Sequence, residues 1–592
     1  MANDIDELMR RAVGLHQSGN LEAAFKAYSK VIETAPDYPE ALNLHGVVSG
    51  QLGRKWEAVT SLQLAAKLAP RNAAYQQNFG LALMNAGKPE EAEQPLRTAV
   101  YLAPELPQAH ANLGNLYKQQ KKFGEAAACY EQALKLAPGD FKSWNNLGNT
   151  RRELKDLRGA EDCLRRSLAI KPEFTEALSN LGVVLAETDR LAEALACYER
   201  ALQREQQNAD LYINYGNALR DSGREQDASA AFMHAAVHVD PYNGAAWSSL
   251  GNAALALGNV DYAGECYRKA VALHAEDPAI HFNLALYQLL TGDLKSGFAE
   301  YEWGLRGDMR QPRRPFRQPR WRGEDFKDRT LLIYAEQGIG DMLQFVRFLP
   351  QVKARGGRVI LEVQQGLGPL VEGLAGADLV FERQDDGRIP HAFDCYVALL
   401  SLPTLLGVEL GNCDPQSAAY LKVPERYREA ARKRLKDDRG FKVAVSWYGN
   451  PAHKNDRNRS CPLPLLAPLF QLPGVSWYAL SPGERTRKDI ADSGLPLQAF
   501  DLPFPEAAGV LEQMDLTISV DSAHVHLAGS LGRPVWVMLP FSPDWRWLLG
   551  REDSPWYPNA RLFRQARPGD WRGLVEAMSA ALATACACTP TL

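Results

Sequence analysis

Two patterns of apolar and polar positions divide this chain near residue 305. Before that point, small and apolar residues recur in register with a glycine that returns every 34 residues, and once after 35, which is the spacing of a repeated helix pair. Beyond it, apolar runs of strand length alternate with helical stretches. The pattern therefore predicts an all-helical first part and an α/β second part. The repeated position is occupied by Gly46, Gly80, Gly114, Gly148, Gly182, Gly216, Gly251 and Ala285.

Two more residue types recur at fixed places in each repeat. A proline ends most units, because it lacks an amide hydrogen and clashes with the preceding helical turn. An alanine stands twelve residues after the glycine, where a small side chain lets two helices approach: Ala58, Ala92, Ala126, Ala160, Ala194, Ala228 and Ala263. We count eight or nine units over residues 1–305. The array resembles tetratricopeptide repeats, which stack into a right-handed superhelix with a concave groove.

A row of asparagines follows the same repeat, two residues before the glycine position. Its members are Asn78, Asn112, Asn146, Asn180, Asn214 and Asn283. An amide side chain has both a donor and an acceptor, so the row could bind a polypeptide backbone in the groove. Alternatively, the amides only bond the neighbouring helix and stabilise stacking. The row is similar to the asparagine ladder of the O-linked N-acetylglucosamine transferase family, and this resemblance implies acceptor binding.

Charge and composition exclude some classes of protein. The 67 basic and 71 acidic residues nearly balance, which argues against a dedicated nucleic-acid binder. We see no signal peptide and no apolar run long enough to span a bilayer, so we expect a cytoplasmic protein. Four cysteines share one repeat position and are expected to pack as reduced thiols rather than bind metal: Cys129, Cys163, Cys197 and Cys266.

The segment 306–329 joins the two parts. Its residues 306–323, RGDMRQPRRPFRQPRWRG, include seven arginines and three prolines, and the prolines forbid a continuous helix. With Phe316 and Trp321 among the arginines, the segment could contact nucleic acid or a membrane. Because it is short and the chain is acidic overall, we favour a linker that clamps the array onto the next domain.

The second part contains seven apolar runs that are typical of strands. They cover residues 331–336, 358–363, 378–382, 442–449, 475–480, 515–520 and 534–540. Alternation with helical segments predicts parallel sheets covered by helices, and such sheets bind ligands at the carboxyl ends of their strands. We expect two α/β halves, at 330–435 and 436–592.

The loop after the first predicted strand is a candidate catalytic turn. It contains Gly338 and Gly340, which permit a tight turn and close backbone approach, and it ends in Asp341. Asp341 either caps the following helix or presents its carboxylate to a ligand.

Two loops of the second half suit a phosphate. In DSAHVHLAGSLGRP, Asp521 or Ser522 can cap a helix whose free amides attract anions. His524 and His526 are two residues apart on that helix and point in different directions, so one could reach a phosphate while the other packs. Three cations follow the strand at 442–449, where a diphosphate would bind: Lys454, Arg457 and Arg459.

These turns resemble the bacterial heptosyltransferase family of GT-B glycosyltransferases. The resemblance implies a pair of Rossmann-type halves, with Asp341 as general base and His526 as the family's conserved histidine in the nucleotide-sugar half. Joined to the repeats, the chain is similar to bacterial tetratricopeptide-repeat glycosyltransferases, and its plan resembles that of the O-linked N-acetylglucosamine transferase.

The sequence thus predicts a metal-independent, inverting glycosyltransferase that uses a nucleotide-diphosphate sugar as substrate and needs no cofactor. We see no acidic pair suitably placed for a divalent ion, so Lys454, Arg457 and the helix N-terminus would neutralise the leaving diphosphate. The expected acceptor is a protein segment held by the array. Two alternatives stay open: an inactive protein-interaction scaffold, and a glycosyltransferase acting on a lipid or polysaccharide.

Overall fold

The structure is a computed structural model that describes residues 2–307, 309–311, 314, 316–413, 419–451, 455–481 and 483–587. The chain divides into two compact units, Met1–Ala235 and Ala236–Leu592. The division falls inside the repeat array, because the last repeat helices share a hydrophobic core with the α/β part.

The first unit is built from helix pairs, one pair per repeat. Its helices are α1 Ala2–Gln17, α2 Leu21–Thr34, α3 Pro39–Gln51, α4 Lys55–Leu68, α5 Ala73–Asn85, α6 Pro89–Leu102, α7 Pro107–Gln119, α8 Phe123–Leu136, α9 Phe141–Glu153, α10 Leu157–Ile170, α11 Thr175–Glu187, α12 Leu191–Leu202, α13 Ala209–Asp221 and α14 Glu225–Met233, followed by a π-helical turn at His234–Val239. The second unit continues with α15 Gly244–Ala256, α16 Val260–Leu273, α17 Pro278–Leu290 and α18 Leu294–Tyr301. Residues 2–301 therefore hold nine helix pairs, within the expected eight or nine units.

The repeated position is a glycine because a large side chain of the second helix packs directly on its Cα. A Cβ added at these glycines would lie 2.5–2.9 Å from a side-chain atom sixteen residues later in the same repeat. The pairs are Gly46 with Leu62, Gly80 with Leu96, Gly114 with Tyr130, Gly148 with Leu164, Gly182 with Tyr198, Gly216 with Phe232 and Gly251 with Tyr267. The 34-residue spacing of the glycines thus reflects the close contact between the two helices of each repeat.

Replacing Gly114 by alanine is expected to destabilise α7 and α8 by about 1–3 kcal/mol, because the methyl group would overlap the ring of Tyr130. Amide hydrogen exchange of these two helices in the full chain measures the effect. Gly124 of α8 is the control: a Cβ there meets nothing within 4 Å, so Gly124→Ala should change stability by less than about 1 kcal/mol. Equal protection in both variants would contradict the packing argument.

The α/β part contains two sheets in which all strand pairs are parallel, as predicted. The first has the order β3-β2-β1-β4, with β1 Thr330–Tyr334, β2 Arg358–Val363, β3 Leu379–Glu382 and β4 Cys395–Ala398. Its helices are α19 Ile339–Phe345, α20 Leu349–Lys353, α21 Gly368–Val371 and α22 Leu402–Leu406, with short 3-10 turns at Glu302–Leu305, Val346–Phe348 and Leu399–Ser401.

The second sheet has the order β10-β9-β8-β5-β6-β7. Its strands are β5 Phe441–Ser446, β6 Val475–Ala479, β7 Leu497–Ala499, β8 Leu516–Val520, β9 Val535–Leu539 and β10 Ala560–Arg564. Its helices are α23 Glu425–Leu435, α24 Asp456–Arg459, α25 Glu484–Ser493, α26 Phe504–Glu512, α27 Ala523–Ser530 and α28 Trp571–Ala587, with 3-10 helices at Leu463–Gln471 and Trp545–Trp547. Strands β4, β7 and β10 were not predicted from the sequence, and each of them lies at a sheet edge.

The joining segment is held by buried ion pairs. The guanidinium of Arg310 is fully buried and pairs with Glu336, at the end of β1, and with Glu302. Arg314 pairs with Glu362 of β2 at 2.8 Å. Trp321 is buried too, and its backbone N–H donates to the carbonyl of Tyr396 in β4. Across the described ranges, the structure has no helix that is both long and apolar enough to cross a membrane.

Candidate active site

A cleft of about 990 Å³ opens in the second unit at the carboxyl ends of β1, β5, β8 and β9. Parallel α/β sheets bind their ligands at this end, and the volume is at the upper end of the range for small-molecule sites. Helices α15–α17 form one wall through Asn252, Tyr267, Asn283 and Tyr287. Seven residues of the predicted turns after β1 and β8 line the same cleft: Gly338, Gly340, Asp341, Asp521, Ser522, His524 and His526.

Asp341 caps α19 and also faces the cleft. One carboxylate oxygen accepts a hydrogen bond from the backbone N–H of Gly338 at 2.8 Å, and the other accepts from the guanidinium of Arg546. Burial raises the pKa of Asp341, although Arg546 opposes this. Asp341 therefore caps the helix while its carboxylate also faces the cleft.

Arg546, which the sequence analysis did not predict as a site residue, connects the two sheets across the cleft. It follows β9 of the second sheet, and its Nη1 donates to Asp544 at 2.8 Å. Its Nε donates at 2.8 Å to Gln344 of α19, the helix that follows β1 of the first sheet. The only sequence signal was an arginine between two tryptophans after a strand, and nothing in that pattern identifies its partners.

His526 packs against the turn at residues 338–341 as a neutral imidazole. A Cβ at Gly340 would lie 2.6 Å from the His526 ring, so the bare glycine makes their contact possible. Nδ1 of His526 shares a 2.9 Å hydrogen bond with the Tyr557 hydroxyl, and the ring stacks on Trp547. Burial holds the pKa of His526 well below its usual value. His526 can therefore orient a ligand but does not supply positive charge.

The N-terminus of α27 forms the floor of the cleft beside this histidine. Ser522 is its N-cap, and its Oγ accepts from the N–H of His524 at 3.3 Å. Burial lowers the pKa of His524 to about 4, so this ring is neutral as well. Burial raises the pKa of Asp521, whose carboxylate lies 4.0 Å from Nε2 of His526.

Among the described residues of the loop after β5, Arg459 is the cation that lines the cleft. It donates to the carbonyls of Asp521 and Asn450, both at 3.3 Å, and it lines the cleft. Arg457, one of the predicted donor ligands, is exposed and is not among the described lining residues. Lys454, the other predicted ligand of this loop, lies outside the described residues.

The asparagine row bonds neighbouring repeats. Five of its members donate from Nδ2 to the first helix of the preceding repeat: Asn78 to Asn43, Asn146 to Asn115, Asn180 to Asn145, Asn214 to Ser179 and Asn283 to Ser248. Asn112 accepts from Gln108 in its own helix. The stacking function is thus realised, and the five donors stay half-buried rather than fully enclosed. Of the row, Asn283 is the member that lines the cleft.

Among the described residues, no group of three or more histidine, cysteine, aspartate or glutamate side chains is arranged to hold a metal ion. The four repeat cysteines are free thiols, and burial raises the pKa of each, as expected for packing residues.

Comparison with known proteins confirms the repeats. Sequence models of the tetratricopeptide repeat match residues 107–140, 129–162, 175–208, 213–278 and 249–303. Tetratricopeptide repeats are stacked helical modules with a binding groove, so this array supports binding of a protein partner.

One curated protein is similar to this chain over about half of its length. Protein FlbA of Caulobacter vibrioides is 29% identical over 338 residues, which cover 52% of this chain and 55% of FlbA. The chain thus spans about half the length of the curated relative it matches.

Solved structures that match part of this chain include a tetratricopeptide repeat protein from Parabacteroides merdae, with 18% identity, a TM-score of 0.38 and coverage of 42% of this chain and 98% of that one. The APC/C hetero-tetramer Cut9–Hcn1 has 17% identity, a TM-score of 0.36 and coverage of 47% and 55%.

Proposed function

We propose that this chain is a glycosyltransferase that moves a sugar from a nucleotide-diphosphate donor to a polypeptide, with its two sheets as the halves of a GT-B-type enzyme. The observation that carries the proposal is the single cleft in which Asp341, Arg459 and the α27 N-terminus lie together with amides of the repeat helices. A buried carboxylate, an anion-binding face and a wall of repeat helices are the parts that such a transfer requires.

The diphosphate would lie on the second sheet. The Arg459 guanidinium and the first-turn amides of α27 supply positive charge at the strand ends, where the leaving group develops its negative charge. Lys454 and Arg457 belong to the same loop and stay candidates for outer phosphate contacts.

Asp341 would act as the general base. The carboxylate takes the proton of an acceptor hydroxyl while that oxygen forms a bond to the anomeric carbon. The bond from this carbon to the diphosphate oxygen breaks, and its electron pair leaves with the diphosphate. Displacement from the opposite face inverts the configuration, and holding both substrates in one cleft supplies the proximity that the reaction needs.

The acceptor would approach along the repeat helices. Asn283 and Asn252 bring amide groups into the cleft itself, and Tyr267 holds Asn252 through a 2.7 Å hydrogen bond. An amide binds a polypeptide backbone whatever its side chains are, which suits an enzyme that acts on a protein segment.

The test is release of nucleoside diphosphate by the full chain from a panel of UDP-, GDP-, dTDP- and ADP-sugars, each with and without an unfolded polypeptide. We expect release from at least one donor that rises when the polypeptide is added. Release that needs a lipid or polysaccharide instead would overturn the polypeptide assignment. A chain that releases nucleoside diphosphate from no donor is a scaffold, and the enzymatic proposal is then wrong.

A further inference from the structure

The guanidinium of Arg546 is held by three contacts besides its ion pair with Asp341. Arg546 is 8% exposed and lines the cleft. Its Nε bonds Gln344, its Nη1 bonds Asp544, and the guanidinium lies over the Trp545 ring at 4.3 Å. These contacts fix the group from three sides without any contribution from Asp341.

The contact of Arg546 with Asp341 engages the carboxylate that the proposed reaction needs. Nη2 of Arg546 donates to one oxygen of Asp341, and the N–H of Gly338 donates to the other. Arg546 opposes the increase in pKa that burial causes, so Asp341 accepts a proton less readily than it would without this cation. The arrangement therefore holds Asp341 in a less reactive state.

We propose that Arg546 binds the diphosphate of the donor by exchanging partners at Nη2, so that donor binding frees Asp341 to act as the base. The inference rests on the proposed function for the identity of the donor. A phosphate oxygen takes the place of the Asp341 oxygen, while Gln344 and Asp544 keep the guanidinium in position. Arg546 then lies where the diphosphate departs, and the anionic product keeps this partner until it dissociates.

Because of this exchange, catalysis depends on the donor binding to the cleft first. Asp341 becomes an effective base only when the diphosphate occupies the cleft, so the acceptor hydroxyl is activated in the presence of donor. A diphosphate must also displace the Asp341 carboxylate from Nη2 of Arg546. The apparent affinity of the chain for the diphosphate is therefore the intrinsic affinity multiplied by the fraction of molecules in which Asp341 does not hold Nη2.

The first test is calorimetric titration of the full chain with UDP and GDP, and with uridine and guanosine as phosphate-free probes. Arg546→Gln should weaken diphosphate binding at least about tenfold and leave nucleoside binding unchanged, because one charged hydrogen bond is lost. Arg551→Gln is the matched control, since Arg551 pairs with Asp553 away from the lining residues. Unaltered diphosphate affinity in Arg546→Gln would overturn the proposal.

The second test separates partner exchange from a structural effect. Asp341→Asn should bind the same diphosphate about three- to tenfold more tightly than the unmodified chain, because the competing anion is gone. Asp521→Asn removes a charge from the same cleft without removing a hydrogen-bond partner of Arg546, and it should tighten binding less. Equal affinity in Asp341→Asn and the unmodified chain, or equal tightening by both variants, would contradict the exchange.

These outcomes are separable from those of the turnover assay. A chain that releases nucleoside diphosphate from donors but shows no tightening in Asp341→Asn is an enzyme without the exchange. A chain with the exchange but no turnover binds diphosphates for another purpose, and then the proposed function is the part that fails.

Discussion

Replacing Asp341 by asparagine is expected to lower the turnover number by about 10³-fold, within the range that a general base contributes. Asparagine retains an oxygen that can accept the N–H of Gly338, so the cap of α19 and its fold should survive. The amide cannot accept the acceptor's proton. Steady-state release of nucleoside diphosphate with a saturating polypeptide acceptor measures the loss, and circular dichroism checks the fold.

The pH profile distinguishes loss of the base from a general defect. Burial raises the pKa of Asp341, and only its ionised form accepts a proton, so activity of the unmodified chain should fall as the pH drops through that pKa. The residual activity of Asp341→Asn should lack this acidic limb. Asp553→Asn is the control, because Asp553 is exposed and pairs with Arg551 outside the lining residues. Full turnover in Asp341→Asn would remove Asp341 from the mechanism.

The repeats and most strands are predictable because their signals are local. Gly114 and Tyr130 are sixteen residues apart, and the same contact is copied through the array, so the spacing along the chain records the packing in space. The strands β4, β7 and β10 escaped prediction because their apolar runs are not separate in the sequence, whereas β3 was predicted although it also lies at a sheet edge. The apolar run of β4 continues without a break into the helical residues that follow, β7 has three residues, and arginine occupies two of the five positions of β10.

The turns that line the cleft were predictable for a similar reason. Each follows a strand directly, and the carboxyl ends of parallel strands meet at one edge of a sheet. The choice between Arg457 and Arg459 was not predictable, because the short helix α24 decides which of the two side chains reaches the cleft. Nor can composition tell whether an asparagine such as Asn180 bonds its neighbour or a ligand, since both use the same donor.

The contacts of Arg546 could not be predicted from the sequence. Its partners Asp341 and Gln344 are 205 and 202 residues away, on the other sheet. Only the packing of the two sheets brings them together, and no repeated spacing records a contact made once. The part of the candidate site that the sequence left out is therefore the part that connects the two sheets.

The second large effect is on stability. Arg310→Met is expected to lower the free energy of unfolding around β1 by about 3–5 kcal/mol, because it leaves the carboxylate of Glu336 buried without its cation. Glu336 begins the turn that carries Asp341, so the loss should extend to α19. Because a chain with two units need not unfold in a single transition, amide hydrogen exchange of residues 330–345 is the suitable measurement.

The effect of Arg310→Met should grow with pH. Burial already raises the pKa of Glu336, and removing Arg310 raises it further. The variant is least destabilised below the pKa of an unfolded glutamate and loses stability as the pH rises through the folded value. The double variant Arg310→Met with Glu336→Gln should recover much of the loss, since the neutral amide can still accept from the N–H of Leu400.

Arg306→Met provides the matched control within the same segment. Arg306 is 63% exposed and lies 3.9 Å from Glu276, so its replacement should change stability by no more than about 0.5 kcal/mol. Protection of β1 that is equal in the two single variants would show that the buried pair does not hold the joining segment. A double variant as unstable as Arg310→Met alone would instead place the cost in lost packing rather than in the uncompensated charge of Glu336.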